Sequence, residues 1–457
     1  MQYYFVEFSY LFASVFFIIG LKGLSHPDTA RRGMHLAEIG MLLAIIGTLL
    51  HKEIVSYEWI IVGLVIGGII GGILAQHVAM TALPQLTALS HAFGALAATL
   101  VGIAEYSRHG ASLEESKMVA IGIEVLLGAL TTTGSVVAAA KLQELMRGTP
   151  ITFKGQNYVN LGILAVALGA LLLLLFHPGA AFAFYLMLAL ALVFGLMLVL
   201  PIAAADMPVV MSLLNAYAGL AATATGFAIS NNVLIIAGTL NGFSGFILSV
   251  IMCRAMNRSI TNVMFGAFGS VSGPAVADAG GEAREVNIED VATQLAYARQ
   301  VVFVPGYGMA TAQAQHVVRE LASVLEERGV TVKYAIHPVA GRMPGHMNVL
   351  LAEADVPYSQ LVELEQINPD FPNTDVAVVI GANDVVNPDA RDNPKSPIAG
   401  MPILDVDRAR SVIVLKRGKG RGFAGIENPL FFKHNTGMLY GDAKGSLSKL
   451  VQAVGQA

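Results

Sequence analysis

The sequence predicts a multi-span α-helical membrane domain of about nine helices, followed by an α/β domain with a parallel sheet. Of the 457 residues, 55% are hydrophobic and only 13% are charged, whereas a soluble globular chain carries about 25% charged residues. The charges are also unevenly spread. Apolar runs repeat as far as residue 253, and charges and prolines reach the density of a soluble protein only from about Arg284 onward.

Nine apolar runs are long enough to cross a bilayer, which takes about 20 residues. They lie at about 3–22, 33–50, 54–76, 83–104, 118–140, 158–176, 180–201, 207–229 and 233–253. We therefore expect a transmembrane domain over residues 1–255 and a flexible linker, rich in Gly, Ala and Ser, over 256–284. Residues 285–457 then form the α/β domain.

The loop charges predict the orientation of the spans. An odd number of spans places the two ends of the chain on opposite sides of the membrane. With the N-terminus outside, the inner loops carry eight Lys and Arg residues and the outer loops carry three. The positive-inside rule therefore places the C-terminal domain in the cytoplasm. The net charge of −4 gives no sign of a nucleic-acid partner, and the single cysteine, Cys253, cannot form an internal disulfide.

The third span contains two overlapping pairs of small residues. The stretch "GGIIGGILA" places Gly67 above Gly71 and Gly68 above Gly72 on one helix face. Such faces let helix backbones approach closely in a membrane. We expect this face to pack against another helix of the same chain.

Four polar side chains within the spans are functional candidates, because burying them in lipid is costly. They are His91, Glu124, Asp206 and Asn215. Each has a structural alternative: a packed histidine, a glutamate solvated at the outer interface, a helix N-cap and an interhelical hydrogen bond. His91 is the strongest candidate for carrying protons, because the ordinary pKa of histidine is near neutrality. The spans show no arginine ladder and no filter loop, which favours a narrow proton route.

Strand and helix patterns alternate after Asn287. The predicted strands are "QVVFVPGYG", "VTVKYAIHP", "DVAVVIGAND", "MPILDV", "SVIVLKRG" and "GMLYGD". The predicted helices are "MATAQAQHVVRELASVLEERG", "HMNVLLAEA" and "YSQLVELEQIN". Continuous apolar strands that alternate with helices indicate a parallel sheet covered on both faces.

Gly306-Tyr307-Gly308 follows the first strand and opens a helix, as the Gly-x-Gly of a dinucleotide site does. Gly306 is expected to permit the tight turn, and Gly308 to let the backbone approach a pyrophosphate at the helix N-terminus. The same letters form a potassium filter only in a re-entrant loop between spans. Here they lie in the charged, soluble part of the chain. The sequence therefore predicts a Rossmann-like domain.

The second strand and a basic loop indicate which dinucleotide is bound. NAD sites usually carry an Asp or Glu at the end of the second strand, and "YAIHPVAGRMPGH" contains none. Lys416, Arg417, Lys419 and Arg421 follow the strand "SVIVL". A basic cluster without a strand-end acid suits a 2′-phosphate, so we expect NADP(H) rather than NAD(H).

Several long motifs resemble those of one family. They are "HPVAGRMPGHMNVLLAEA", "VVIGANDVVNPDARDNPKSPIAGMPILDV" and "NPLFFKHNTGMLYGDAK", with "MPVVMSLLNAYAG" and "IMCRAMNRS" in the membrane part. Over essentially its whole length, the chain resembles the β subunit of the proton-translocating nicotinamide nucleotide transhydrogenase.

The resemblance implies a set of NADP(H)-binding residues, with Asp384 catalytic. They are Gly306, Tyr307, Gly308, Met309 and Ala310 in the fingerprint loop; Val339, Ala340, Gly341, Arg342 and Met343 along the nucleotide; Gly381, Ala382, Asn383 and Asp384 near the nicotinamide; Lys416 and Arg417 at the 2′-phosphate; Gly422, Phe423 and Ala424 in a closing loop; and Gly441, Asp442 and Ala443 as the last contact. Phe423 departs from the tyrosine often found there and loses one hydroxyl contact.

The resemblance also implies roles in the membrane. His91, Asp206 and Asn215 match positions that this family uses in proton conduction, and Gly245 matches a close-packed glycine. Glu124 is a candidate from its own position only.

The reaction implied is NADH + NADP+ giving NAD+ + NADPH, driven by protons that enter the cytoplasm. The chain has one dinucleotide domain, so NAD(H) must be bound by a separate α subunit, in an assembly expected to be a dimer of αβ units in the bacterial cytoplasmic (inner) membrane. The alternative function is a transporter or channel gated by NADP(H), without redox turnover.

Overall fold

The computed structural model describes residues 2–51, 54, 56–257, 259–260, 283–394, 396, 398–418 and 427–456. The chain divides into two compact units. One comprises Met1–Ile202 with Val210–Ser249, and the other Ala203–Val209 with Val250–Ala457. Most of the expected linker lies outside the described residues.

Within the described residues, nine helices are long and apolar enough to cross a membrane, which confirms the predicted multi-span domain. They are α1 (Gln2–Gly23), α2 (Pro27–Leu49), α3 (Glu58–His77), α4 (Leu83–His109), α5 (Glu115–Leu142), α6 (Gln156–Phe176), α7 (Ala181–Val199), α8 (Met207–Ala228) and α9 (Asn232–Ala255). The largest difference between a predicted and an observed helix boundary is at α2, which starts six residues earlier than predicted. Pro27 in its first turn favours that start, because proline has a helical φ and no N–H to satisfy.

Glycines bring two pairs of membrane helices into backbone contact. Between α1 and α2, a Cβ added at Gly33 would lie 2.7 Å from the carbonyl oxygen of Gly20. Between α8 and α9, a Cβ added at Gly219 would overlap the backbone of Gly242, and one at Gly245 would lie 2.7 Å from the Ala216 nitrogen. Any larger residue would push these helices apart.

The expected intramolecular packing of α3 through its glycines is wrong. A Cβ added at Gly67, Gly68, Gly71 or Gly72 would meet no atom within 4 Å, and α3 contains no buried residue. The spacing of small residues shows that a helix face allows close approach. It carries no information about which helix, if any, takes that place.

In the described part of the chain, six parallel strands form one sheet, which confirms the α/β domain. They are β1 (Gln300–Pro305), β2 (Thr331–Ile336), β3 (Leu361–Glu363), β4 (Val376–Ile380), β5 (Ser411–Lys416) and β6 (Thr436–Tyr440). Their order is β3-β2-β1-β4-β5-β6. The order reverses between β1 and β4, as in Rossmann folds.

The helices of this domain are α10 (Ile288–Ala296), α11 (Tyr307–Thr311), α12 (Gln315–Glu327), α13 (His346–Glu353), α14 (Leu364–Ile367), α15 (Asp389–Asp392) and α16 (Ala443–Gln456). Alternate side chains of β1 enter two separate cores, because a strand presents successive residues to opposite faces. Val301 and Phe303 pack under α10, α12 and α16. Val302 and Val304 pack under short turns and irregular segments, which include Leu404 and Leu430.

Two predicted elements are wrong. "MPILDV" is not a strand: it is irregular and ends in a 3-10 turn at Val406–Arg408. Its apolar residues are there because Leu404 and Val406 are buried against the sheet. "YSQLVELEQIN" is not a continuous helix, since it contains β3, which pairs with β2 at the sheet edge.

The helix predicted over 309–329 is two helices. The chain breaks after α11 at Gln313, whose φ is 48°, and resumes as α12 at Gln315. The predicted apolar stripe belongs to α12, where Val317, Leu321 and Leu325 are buried.

Candidate functional site

The loops that follow β1 and β4 are joined by their backbones at the point where the strand order reverses. The Gly306 N–H donates to the Ile380 carbonyl oxygen at 2.9 Å, and the Gly308 N–H donates to the Gly381 carbonyl oxygen at 2.9 Å. In open α/β sheets a ligand crevice forms at this reversal, outside the carboxyl ends of the strands.

Three glycines make this contact possible. A Cβ added at Gly306 would lie 2.5 Å from the Gly381 carbonyl oxygen, and one at Gly308 would lie 2.6 Å from the Gly381 Cα. Gly381 has a φ of +65°, which L side chains rarely adopt. Gly306 itself is extended, with a φ of −129°. It is therefore required by close approach, and not by the tight turn that the sequence suggested.

A cleft lies at this edge of the sheet. The expected residues in its wall that come from the loops after β1 and β2 are Gly306, Tyr307, Gly308, Val339, Ala340 and Gly341. Those that come from the ends of β4, β5 and β6 are Gly381, Ala382, Asn383, Asp384, Lys416, Arg417, Gly441 and Ala443. Residues from five strand ends thus meet around one cavity.

Other expected residues lie near this cleft without forming its wall within the described residues. Met309 and Ala310 are buried in the core beneath it. Arg342 is buried, and its guanidinium carbon lies 4.3 Å from the centre of the Tyr307 ring, a cation–π contact that joins two loops. Met343 is half-buried beside it.

Asp442 has a structural role. Its Oδ2 accepts a hydrogen bond from the Gly445 N–H at 3.0 Å, which caps the first turn of α16. The expected closing loop with Gly422, Phe423 and Ala424 lies outside the described residues, as do Lys419 and Arg421.

The charges in the cleft wall are of both signs. Burial lowers the pKa of Lys416, and the carboxylate of Asp384 opposes that shift. The Lys416 ammonium lies 4.4 Å from the centre of the Phe431 ring. Arg417, the next residue, is exposed. The wall thus presents two adjacent cationic side chains with one carboxylate near the first of them.

Asn428 supports the loop after β4, and the sequence alone did not single it out. Its side-chain Nδ2 donates to the Asn383 carbonyl oxygen at 3.0 Å and to the Asn383 Oδ1 at 3.2 Å. Its Oδ1 accepts from the Leu430 N–H at 2.9 Å. Asn428 is buried. The only signal in the sequence is an asparagine directly before a proline, which is typical of a cap or turn.

In the membrane domain, His91 is the ninth residue of α4. It lies nearer the start of its helix than the sequence suggested, because α4 continues to His109. Its Nδ1 is buried and, among the described residues, has no hydrogen-bond partner.

Glu124 is fully buried, so the alternative of a glutamate solvated at the outer interface is wrong. Its Oε1 accepts from the Thr225 hydroxyl of α8 at 2.8 Å. Asn215 makes an interhelical hydrogen bond, as its structural alternative predicted: its Oδ1 accepts from Asn241 of α9 at 3.1 Å. Asp206 is buried and ends the 3-10 turn that directly precedes α8.

Two further polar residues share a face of α5 with Glu124, at intervals of seven and four residues. Thr131 and Ser135 are fully buried, and neither hydroxyl has a partner within the described residues. These intervals bring residues back to one side of a helix, so the spacing was the signal that the sequence contained.

Helix contacts place His91 and Asn215 at the level of Ser135. Gly102 packs against Val125, and Gly128 packs against Ala95, so α4 and α5 are antiparallel. His91, one turn before Ala95, therefore lies beside the last turns of α5. On α8, Leu214 contacts Gly134, and Thr225 contacts Glu124.

Lys141 is one of the eight basic residues counted above in the inner loops, but it lies at the end of this buried part of α5. Its ammonium donates to the carbonyl oxygens of Val199, Leu200 and Ile202 at 3.2, 2.6 and 2.6 Å. The lysine therefore satisfies three acceptors at the C-terminal end of α7.

No group of three or more His, Cys, Asp or Glu side chains within the described residues is arranged to hold a metal ion.

Comparisons with known proteins cover nearly the whole chain. The family model described as NAD(P) transhydrogenase beta subunit matches residues 6–453. A protein named NAD(P) transhydrogenase subunit beta from Rhodospirillum rubrum is 49% identical over 98% of both chains. A protein of the same name, from a specified strain of that species, has the same identity and coverage. This chain therefore belongs to the family of NAD(P) transhydrogenase beta subunits.

Proposed function

We propose that this chain binds NADP(H) and conducts protons in a transhydrogenase that couples hydride transfer from NADH to NADP+ with proton movement into the cytoplasm. Family membership supports the transhydrogenase activity. The observation that carries the choice of nucleotide is the cleft at the β1–β4 reversal. Lys416 and Arg417 lie in its wall, and no carboxylate lies in the ten residues that follow β2.

The residues of the cleft fit a dinucleotide phosphate. Gly306 and Gly308 add no side chain to the wall, so the backbone of this loop can come close to a pyrophosphate. Lys416 and Arg417 would hold the 2′-phosphate through charge-assisted hydrogen bonds. The nicotinamide, when bound, supplies the site that accepts or gives the hydride.

Asp384 and Asn383 are proposed to orient the reactive end of the nucleotide. Both lie in the cleft wall directly after β4, and Asn428 holds the backbone of Asn383. We assign Asp384 the catalytic role of contacting the nicotinamide end, because its carboxylate is the acidic side chain that the β4 loop contributes to the wall.

The second nucleotide is proposed to come from a partner. Hydride transfer between two nicotinamides needs two dinucleotide sites, and one Rossmann-like sheet is present in the described part of this chain. The name of the family supports an α subunit as that partner. We propose that the α subunit binds NAD(H), and that two αβ units associate in the bacterial cytoplasmic membrane.

The polar residues of α4, α5 and α8 are proposed to form the proton route. Glu124 and Thr225 lie at one end, and Ser135, His91 and Asn215 lie at a second level, 11 residues along α5, or roughly 16 Å. Asp206 is proposed to belong to the same route because it directly precedes α8, the helix that carries Asn215. A proton route needs only a few such side chains, with water between them.

The energy available per proton is sufficient to change nucleotide binding. A charge that crosses 100 mV gains about 2.3 kcal/mol, so at roughly 150 mV one proton gains about 3.5 kcal/mol. That is a shift of roughly 300-fold in an equilibrium constant. The proton gradient is proposed to act by changing the affinity or access of NADP(H) in the cleft.

The division of the chain and its orientation are part of the same proposal. Residues 1–255 conduct protons, 256–284 link the domains, and 285–457 bind NADP(H) in the cytoplasm, with the N-terminus outside. The excess of Lys and Arg in the inner loops supports this orientation.

Binding measurements test the choice of nucleotide. We expect the full chain, purified in detergent, to bind NADPH far more tightly than NADH in calorimetric titrations. Equal affinity for the two nucleotides would contradict the assignment of Lys416 and Arg417 to a 2′-phosphate.

A further inference from the structure

The loop "HPVAGRMPGH", which joins β2 to α13, begins and ends with a buried histidine. His337 and His346 are each 1% exposed. Between them, Val339, Ala340 and Gly341 line the cleft. The loop has no strand or helix of its own between these histidines, so its backbone groups need other partners.

His346 supplies one of those partners. Its Nδ1 accepts a hydrogen bond from the Arg342 N–H at 3.0 Å. The imidazole also packs directly on Gly341, where an added Cβ would lie 2.5 Å from Nδ1. Gly341 has a φ of +113°, a conformation that favours glycine. The ring and the glycine therefore fit each other closely.

His337 supplies the other partner. Its Nδ1 accepts from the Val339 N–H at 3.2 Å, and its Nε2 lies 2.8 Å from the Pro402 carbonyl oxygen. A carbonyl oxygen only accepts, so Nε2 carries the proton and Nδ1 is the acceptor. These two contacts define a neutral imidazole with one tautomer.

We propose that His337 and His346 are positioning residues of the nucleotide site: as neutral imidazoles they accept the amide protons of Val339 and Arg342 and so hold loop 337–346 in the shape that faces the cleft. This inference rests on the proposed NADP(H) site. Because the Arg342 guanidinium stacks on Tyr307, a fixed backbone at Arg342 also fixes the link between this loop and the fingerprint loop.

The environment keeps both rings in the form that can accept. Burial lowers the pKa of His337 to about 4. Burial, followed by the nearby Arg342 guanidinium, lowers the pKa of His346 to about 4. Above that range each Nδ1 has a free lone pair, whereas a protonated ring would turn an N–H toward the backbone N–H that it now binds.

Substitution at His346 separates the hydrogen bond from the packing of the ring. Asparagine places its amide oxygen near the position of Nδ1 and keeps an acceptor, whereas leucine fills similar space without one. Glutamine, whose amide reaches toward the Nε2 position, is a second variant without an acceptor at Nδ1. His316→Leu, on the exposed face of α12, is the matched control.

Two measurements on the full chain in detergent test the proposal. We expect His346→Leu and His346→Gln to weaken NADPH binding about tenfold, the effect of one lost buried hydrogen bond. We also expect faster hydrogen–deuterium exchange in peptides that cover residues 338–344 of the nucleotide-free protein. His346→Asn and His316→Leu should stay within about threefold of the unmodified chain in affinity, with unchanged exchange.

The outcomes distinguish this inference from the proposed function. Equal affinity and equal exchange in the Asn, Gln and Leu variants would overturn the positioning role. If the unmodified chain binds no NADPH, the proposed function fails, and the exchange measurement still decides whether the histidine holds the loop. If His346→Leu does not fold, His346→Gln against His346→Asn gives the same comparison.

Discussion

The hydroxyl of Thr225 in α8 donates a hydrogen bond to the carboxylate of Glu124 in α5 at 2.8 Å. Glu124 is fully buried, and its Oε2 has no hydrogen-bond partner within the described residues. A buried carboxylate in a membrane is costly unless it has a function or a partner. This pair therefore marks one end of the buried polar series that continues through Thr131 and Ser135 on the same face of α5.

Glu124 is expected to take part in proton translocation. Glutamine keeps an oxygen that can accept from Thr225 but cannot release a proton. We expect Glu124→Gln to slow proton translocation severalfold in vesicles and to leave thermal stability nearly unchanged. Glu38→Gln, at an exposed position of α2, is the control. Normal translocation in Glu124→Gln would reduce Glu124 to a packing contact between two helices.

His91 is expected to carry protons, because an imidazole changes its charge near neutral pH. His91→Ala should largely abolish proton pumping while the cleft still binds NADP(H). His91→Lys should instead bias the occupancy of the nucleotide site, since it mimics one protonation state. The coupling is reciprocal, so NADP(H) binding must shift the proton affinity of the route, and protonation of the route must shift nucleotide affinity by the same factor. If His91→Ala pumps as many protons per hydride transferred as the unmodified chain, with the same pH dependence of NADPH release, His91 is not part of the route.

Two adjacent cations are expected to select NADPH. Lys416→Ala and Arg417→Ala should each weaken NADPH binding roughly ten- to hundredfold, because each removes a charge-assisted contact. NADH binding should change little, since it has no 2′-phosphate. Lys449→Ala, at an exposed position on α16, controls for overall charge. A parallel loss of NADH affinity would point to general disruption of the cleft.

Gly308 is expected to tolerate no side chain. Its added Cβ would lie 2.6 Å from the Gly381 Cα, and backbone cannot move aside as a flexible side chain does. Gly308→Ala should lower the melting temperature by several degrees and abolish NADPH binding. Gly455→Ala, where an added Cβ meets nothing within 4 Å, should be neutral or slightly stabilising. Similar melting temperatures for the two variants would contradict the close contact of the β1 and β4 loops.

The sequence predicted the elements whose signal is local. A membrane span is defined by apolar length, so all nine were found. β1 and β4 contain the continuous apolar runs Val301–Val304 and Val376–Ile380 and were recognised. β2 was recognised as well, although Lys333 interrupts its apolar residues. β3 has three residues at the sheet edge, too few for any periodicity to identify. "MPILDV" was predicted as a strand because a segment buried against a sheet needs the same apolar residues as a strand within the sheet.

The properties that depend on neighbours were not predictable. From its position in the helix, Glu124 could have faced solvent or a neighbouring helix. Only the packing of α8 against α5 shows that its carboxylate binds Thr225. The glycines of α3 and those of α9 have similar spacing, yet only those of α9 meet another helix. Gly306 and Gly308 were identified as a dinucleotide motif, whereas their contact with Gly381 requires knowledge of the strand order.

Proton movement and hydride transfer are proposed to be one coupled process in which this chain acts with an α subunit. The most direct measurement reconstitutes both subunits in sealed vesicles and records proton flux and NADPH formation together. With NADH and NADP+ present, we predict that the two rates remain in a fixed ratio, and that flux stops when either nucleotide or the α subunit is omitted. Continued ion flux with NADP(H) alone, without NADPH formed from NADH, would contradict this account and indicate a channel or transporter gated by the nucleotide.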